Sequence, residues 1–325
     1  VNKIVSFILL ISCVLLVLYL VIATQINGDG NNEKKIGLVL KSVEEDLEFW
    51  QLVKMGAEVA AEELNINLEI QGPTDESDIH GQIRIMEDTI KTQPDAIILA
   101  ACDYKYLVPV AEKAIKEEIT LMTLDSNIAG GLATSFIATD NVNATRAVAH
   151  ELAKLIKEEG EVAVISYVEG ASTAIDRESG FTEALSEYKN IKIVEIAYSD
   201  GLEDKAYEET KRIINKYPNL KGIFGANDPS ALGVARAVEE LGLEGEIVVV
   251  GFDSSLEQIQ YLEDDITTAI VVQRPFNMGY IAVKTAVDSL SEKEVESYID
   301  TGFKLINKKT MHEKENEKLL FPFVK

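Results

Sequence analysis

From residue 36 onward the chain alternates two hydrophobic patterns. Short continuous apolar runs, among them Ile36–Leu40, Ala96–Ala100, Val162–Ser166 and Thr268–Val272, have the length of strands buried on both faces. Between them apolar residues recur at helical spacing, as Ile79, Ile83, Met86 and Ile90 do. The same period predicts helices over Phe49–Leu64, Leu107–Glu117, Asn141–Glu159, Thr173–Tyr188, Leu202–Tyr217 and Pro275–Leu290. Further strands are expected at Leu68–Ile70, Leu121–Leu124, Ser135–Ala138, Ile191–Ala197 and Phe303–Ile306, and Ile223–Asp253 reads as one complete strand–helix–strand unit. Such alternation predicts parallel sheets covered by helices on both faces. About ten strands exceed one comfortable doubly wound sheet, so the expected fold is α/β with two doubly wound parallel-sheet lobes. The break in rhythm near Thr139 divides them.

The first segment follows a different pattern. Ile4–Ala23 carries no charge, is preceded by Lys3 and is followed by a polar stretch. As a helix it would span roughly 30 Å, the thickness of a hydrocarbon core. Residues 1–24 are therefore expected to be an uncleaved membrane anchor, and 25–35 a solvated linker. A cleaved signal peptide is the second reading. A lipoprotein signal is the third, because Leu10-Ile11-Ser12-Cys13 resembles a lipobox. All three place the remainder outside the cytoplasm.

Composition narrows the partners. Of 325 residues, 55 are acidic and 31 basic, for a net charge of −24. That field repels polyphosphate, so nucleic acid is not an expected partner. The two cysteines, Cys13 and Cys102, lie in unlike regions, and His80, His150 and His312 are scattered. Neither a disulfide framework nor a metal site follows, and no cofactor is expected.

In an open parallel sheet, ligands bind outside the carboxyl ends of the strands. Those ends carry the loop Lys41–Glu48 closing on Phe49 and Trp50, then Cys102 and Asp103, then Asp125, Ser126 and Asn127. In the second half they carry Glu169, Ser172, Asp200, Asn227, Asp253 and Gln273, with Arg177 as the one notable cation. Carboxylates, amides and an arginine beside aromatic faces suit a polyhydroxylated small molecule. Asp228, followed by Pro229, reads as a helix N-cap, which leaves Asn227 free for the cleft. Ser254–Glu257 has capping-box spacing, which likewise frees Asp253. Arg177 is placed in the first turn of its helix, against the dipole. No nucleophile elbow, P-loop or dinucleotide fingerprint is present, and an enzyme is not expected.

These residues resemble a known family, the bacterial periplasmic sugar-binding proteins of the ribose- and galactose-binding type. IGLVL…FWQLVKMGAEVAAEEL, DAIILAACD, LMTLDSN, GASTAIDRESGFTEAL, GANDPSALGVARAV, VVGFD and TTAIVVQRPFNMG carry the resemblance. It implies a type I periplasmic binding fold, with one lobe from 36–139 plus 274–302 and the other from 140–273 plus 303–325. It also implies a three-crossing hinge at Thr139-Asp140, Gln273-Arg274 and Gly302-Phe303. Phe49 and Trp50 would sandwich the ligand ring, while Asp125, Arg177, Asn227, Asp253 and Gln273 would bind its hydroxyls. A monomer that closes around a monosaccharide and delivers it to an ABC transporter permease is implied. The alternative is a membrane-anchored sensor presenting its closed form to a kinase or chemoreceptor. Ala100-Ala101 and Ser126 depart from the family pattern and are expected to tune the choice of ligand.

Overall fold

The computed structural model describes residues 34–321. The expected anchor and Cys13 signal, and the expected linker up to residue 33, therefore lie outside the described residues, while Lys35, expected in the linker, already belongs to the first strand. Within these bounds, twelve strands form two six-stranded sheets.

The first lobe is built from β1 (Lys35–Val39), α1 (Glu48–Leu64), β2 (Asn67–Gln71), α2 (Ile79–Lys91), β3 (Ala96–Leu99), α3 (Val108–Lys116), β4 (Thr120–Leu124) and β5 (Ser135–Ala138). The second holds α4 (Asn141–Leu155), β6 (Glu159–Ser166), α5 (Ser172–Leu185), β7 (Asn190–Tyr198), α6 (Glu203–Lys216), β8 (Leu220–Gly225), α7 (Asp228–Glu240), β9 (Val248–Phe252), α8 (Leu256–Glu263) and β10 (Thr267–Val272). The chain then returns to the first lobe for α9 (Pro275–Leu290) and β11 (Tyr298–Asp300). It ends in the second with β12 (Lys304–Asn307) and α10 (Lys314–Leu320).

Both sheets follow one plan. The first runs β11-β5-β4-β3-β1-β2 and the second β12-β10-β9-β8-β6-β7. In each, the order reverses beside the first strand of the lobe, at β1/β3 and β6/β8, which opens a crevice at the strand ends. All pairings of the first sheet are parallel. In the second, β12 runs antiparallel to β10, which departs from the expected all-parallel sheet. The reason is connection length. Residues 301–303 carry the chain straight from β11 into the other sheet, which is too short for a parallel crossover.

Period-two burial explains why the strand runs are apolar throughout. Ile36, Leu38 and Leu40 face the core beneath α1 and α9, while Val39 faces the one beneath α2 and α3. In β6, Val162 and Val164 face the core shared with α4 and α5, where Phe181 and Phe224 stack at 4.5 Å, and Ala163 and Ile165 face α6 and α7. The α1–α9 contact is closer than side chains permit. A Cβ on Gly279 would fall 1.9 Å from the Val53 carbonyl oxygen, and one on Gly56 1.9 Å from that of Phe276.

Gly279→Ala should therefore destabilise the protein by about 1–3 kcal/mol from overpacking. This outweighs the helix-propensity gain of at most about 1 kcal/mol. Urea unfolding of the two proteins measures the difference.

Candidate ligand-binding site

The carboxyl ends of both sheets face each other across one cleft. It encloses a cavity of about 50 Å3, measured as room for the centre of a water molecule. One water needs about 10–15 Å3 on that scale, so the space fits several waters or one small ring compound. From the first lobe it is lined by Lys41, Leu47, Glu48, Phe49, Trp50, Glu76 and Asp125. The second supplies Tyr167, Thr173, Arg177, Gly201, Asn227, Asp228, Pro229 and Asp253, and Gln273 lies where the chain crosses back.

Two aspartates occupy matching places. Asp125 follows β4 and Asp253 follows β9, both in left-handed backbone with φ of 57° and 75°. The Asp125 N–H donates to the Ile137 carbonyl (2.8 Å) and that of Asp253 to the Val271 carbonyl (2.7 Å), each on the next strand. Aspartate tolerates this conformation better than most residues, and the turn aims its carboxylate into the cleft.

Each carboxylate has a cation in its own lobe. Lys41 Nζ lies 3.0 Å from Asp125 Oδ2 and donates across the cleft to Thr173 Oγ1 at 3.1 Å. Burial alone would lower the Lys41 pKa, but the charges of Asp125 and Glu76 outweigh it and hold it above the ordinary lysine range. Arg177 Nη1 stands 4.0 Å from Asp253 Oδ2. Its Nε donates to Asn141 Oδ1 and its Nη1 to the Ala226 carbonyl, both at 2.8 Å, and the guanidinium lies 3.7 Å over the Phe252 ring. Only 3% of Lys41, 3% of Asp125, 3% of Arg177 and 8% of Asp253 is exposed, so these ions depend on one another. Burial nevertheless pushes Asp253 above its usual range, against the pull of Arg177 and the Gln273 hydrogen bond.

Two further carboxyl groups complete the site. Glu76 Oε1 accepts from Trp50 Nε1 at 2.6 Å, and burial raises its pKa against Lys41 and that hydrogen bond. Asp228 Oδ1 accepts from Ser255 Oγ at 2.7 Å. Although the residue keeps some exposure, its carboxylate is enclosed: burial first, then Asp253, pushes its pKa up to about 7. Gln273 Nε2 donates to Asp253 Oδ1 at 2.6 Å, whereas Gln273 Oε1 is buried with no partner. Tyr167 Oη is also unpartnered; Thr173 influences the phenol but is outside hydrogen-bonding geometry. Cys102, beside the Lys41 carbonyl, is a buried thiol whose pKa burial raises, so it is no nucleophile. Among the described residues no group of acidic, histidine or cysteine side chains could hold a metal.

Phe49, Trp50, Asp125, Arg177, Asn227, Asp253 and Gln273 thus converge on one cavity. Several local expectations change. Phe49 and Trp50 meet edge to face, 4.9 Å between centroids at 90°, which leaves no room for a ring between them. Asn227, not Asp228, caps α7, accepting from the Ser230 N–H at 3.1 Å, and this releases Asp228 into the cleft. The cap of α8 is Ser255, accepting from the Gln258 N–H. Arg177 lies in the second turn of α5, because that helix begins at Ser172. Ala100, Ala101 and Ser126 are buried outside the cavity, and Asp200 is paired with Lys205 at the surface.

Lys41, Glu76, Tyr167 and Thr173 escaped the sequence reading. Lys41 and Tyr167 stand directly after the runs ending at Leu40 and Ser166, so the strand-end rule reached their loops but selected other residues. Glu76 stands five residues beyond the end of β2 at Gln71, too far for a strand end to fix its direction. Thr139, Asp140, Arg274 and Gly302 lie at the three crossings, not in the cavity. Asp140 caps α4, and Gly302 has a φ of 75° with its N–H bonded to Asp300 Oδ1 at 2.8 Å.

Comparison with known proteins identifies the family. Residues 36–294 match the family model described as a periplasmic binding protein domain. The D-allose-binding periplasmic protein of Escherichia coli is 33% identical over 249 residues, 74% of this chain and 80% of that protein. A ribose import binding protein of Bacillus subtilis is 26% identical over 283 residues, 87% of this chain and 90% of that protein. A solute-binding protein of Agrobacterium radiobacter in complex with D-arabinose superposes with a TM-score of 0.86 at 31% identity, covering 89% of this chain and 99% of that one. One from Agrobacterium vitis with bound D-fucose gives 0.85 at 34%, covering 88% and 99%.

Two outcomes follow from the electrostatics. Lys41→Ala strands a buried Asp125 and should cost about 3–5 kcal/mol in urea unfolding. Asp228 binds its proton more tightly folded than unfolded, so its contribution to stability is present below about pH 4 and is lost as the pH rises to about 7. Asp228→Asn should flatten that decline, read from urea midpoints across pH 4–8.

Proposed function

The chain belongs to the periplasmic binding protein family, and from that premise we propose that it is an extracytoplasmic solute-binding protein that closes around a monosaccharide for delivery to an ABC importer. The observation that carries this is the chemistry of the cavity. Acceptors and donors are interleaved on both lobes, and the cavity's two cations, Lys41 and Arg177, are already paired with a carboxylate of their own lobe. A neutral ligand with many hydroxyls, each donor and acceptor, fits such a lining, whereas a charged one would upset the pairing. The relatives' named ligands, D-allose, ribose, D-arabinose and D-fucose, support an aldose of this kind.

In this reading Asp125, Arg177, Asn227 and Asp253 bind hydroxyls, and Lys41 and Glu76 join them. The unpartnered Gln273 Oε1 and Tyr167 Oη accept or donate to the same ligand. Phe49 and Trp50 each offer one surface to the apolar face of the sugar. The lobes divide as 36–139 plus 274–302 and 140–273 plus 303–325. Thr139, Asp140, Arg274 and Gly302 absorb the backbone rotation of closure. Buried hydroxyls without partners at Thr139 and Thr301, beside two of the crossings, support a hinge there. The protein binds without turnover and acts as a monomer, tethered to the membrane through residues 1–24. The import role in the name of the Bacillus relative favours a permease partner over a sensor.

Calorimetric titration with D-allose, D-ribose, D-arabinose and D-fucose should find at least one ligand, and its binding should change the emission of Trp50, the only tryptophan. Arg177→Ala and Asn227→Ala should each weaken that binding, the arginine change by at least about thirtyfold. Wild-type affinity in both variants would misplace the site, and no binding by any sugar would reject the ligand class.

A further inference from the structure

The two lobes also touch each other directly. One hydrogen bond runs from the Leu256 N–H to Glu48 Oε1 at 3.3 Å, and the others away from the crossings converge on four residues of the second lobe. Gly170–Thr173 forms the end of the loop after β6 and the first residues of α5. Three separate loops of the first lobe bind it. From the loop after β3, the Tyr104 N–H donates to the Gly170 carbonyl at 2.9 Å. From the loop after β4, the Asn127 N–H donates to Ser172 Oγ at 2.7 Å, and Ser126 Oγ lies 3.1 Å from the same oxygen. From the loop after β1, Lys41 Nζ donates to Thr173 Oγ1.

The close approach depends on glycine. Gly170 has a φ of 95°, and a Cβ there would fall 2.5 Å from Asp103 Oδ2. Asp103 is itself held, accepting from the N–H groups of Lys105 and Tyr106 at 2.6 and 2.7 Å, so the rim of the first lobe is braced. Ser126 and Ser172 are buried at this junction, and neither lines the cavity.

We propose that Gly170–Thr173 is a latch that sets the balance between open and closed lobes, with Ser172, which does not line the cavity, as its positioning residue. A ligand shifts the lobes only by what it gains in the closed form over the open one. Contacts between the lobes themselves add to the closed side for every ligand alike. They raise affinity for all sugars together and leave discrimination to the cavity residues. The inference rests on the proposed clamp, but the latch can be judged without any sugar.

The test is hydrogen exchange on the full chain without added sugar, resolved at the Tyr104 and Asn127 amides, together with titration by a sugar that binds the wild type. Ser172→Ala removes the acceptor of Asn127 directly, so faster exchange there says little. The informative amide is Tyr104, which is bonded to Gly170 and not to Ser172. If the four residues act as one latch, Ser172→Ala should accelerate Tyr104 exchange about tenfold and weaken sugar binding by a similar factor. Ser126→Ala should act in the same direction, and the double variant should fall short of the two effects combined, because they share one hydrogen bond. Should Ser172→Ala fail to fold by circular dichroism, Ser126→Ala carries the same comparison. The proposal is overturned if the wild-type Tyr104 amide exchanges like an unstructured peptide. It also fails if the variants leave Tyr104 protection unchanged. A chain with a protected Tyr104 that binds none of the four sugars would keep the latch and lose the proposed ligand.

Discussion

Two buried ion pairs govern the cleft. Asp125 with Lys41 in one lobe, and Asp253 with Arg177 in the other, place four charges where water has little access. A lone buried charge is costly, and even a paired one is rarely the most stable choice for a core. Keeping such pairs instead of apolar residues makes sense where directional hydrogen bonding is needed. The surrounding structure serves this arrangement: the strand-end turns aim the carboxylates, Asn141 and the Ala226 carbonyl brace Arg177, and Thr173 receives Lys41 from the facing lobe.

The duplicated sheet order explains why the two pairs resemble each other. Each lobe winds as a strand order that reverses beside its first strand, so each has one crevice and a β4- or β9-like strand ending in an aspartate. Facing the crevices makes a single enclosed site from two half-sites. A molecule held there bonds to both lobes at once, which is the condition for a ligand to drive closure. Lys41, which bonds to Asp125 on its own side and Thr173 on the other, lies on the line where binding and closure meet.

Much of this was legible along the chain. The apolar runs and helical periods located the main elements because buried parallel strands and amphipathic helices leave unlike patterns. The short β11 and the terminal α10 were not anticipated, since elements of three and seven residues show too little period to read. Of the candidate residues, Asp125, Asn227, Asp253 and Gln273 reached the cavity because a strand end fixes where the next side chain goes, whereas Arg177 enters it from the second turn of α5. Asp200 did not, since β7 is the edge strand of its sheet, beside the β6/β8 reversal and not at it, and its side chain pairs with Lys205 at the surface. Glu76 was missed because its loop wraps back to the cleft and finds Trp50, a contact 26 residues away that no local pattern announces.

Sequence by itself determined the alternation of strands and helices, their division into two lobes, and the kind of side chain delivered to each strand end. These follow from short-range rules of period, capping and turn chemistry. The tertiary structure decided which cation answers which carboxylate and that Asn227 rather than Asp228 takes the helix cap. It also set Phe49 edge-on to Trp50 and left Ser126 joining the lobes instead of meeting the ligand. Those outcomes depend on distances between loops far apart in the chain, and only the packing of whole lobes sets such distances.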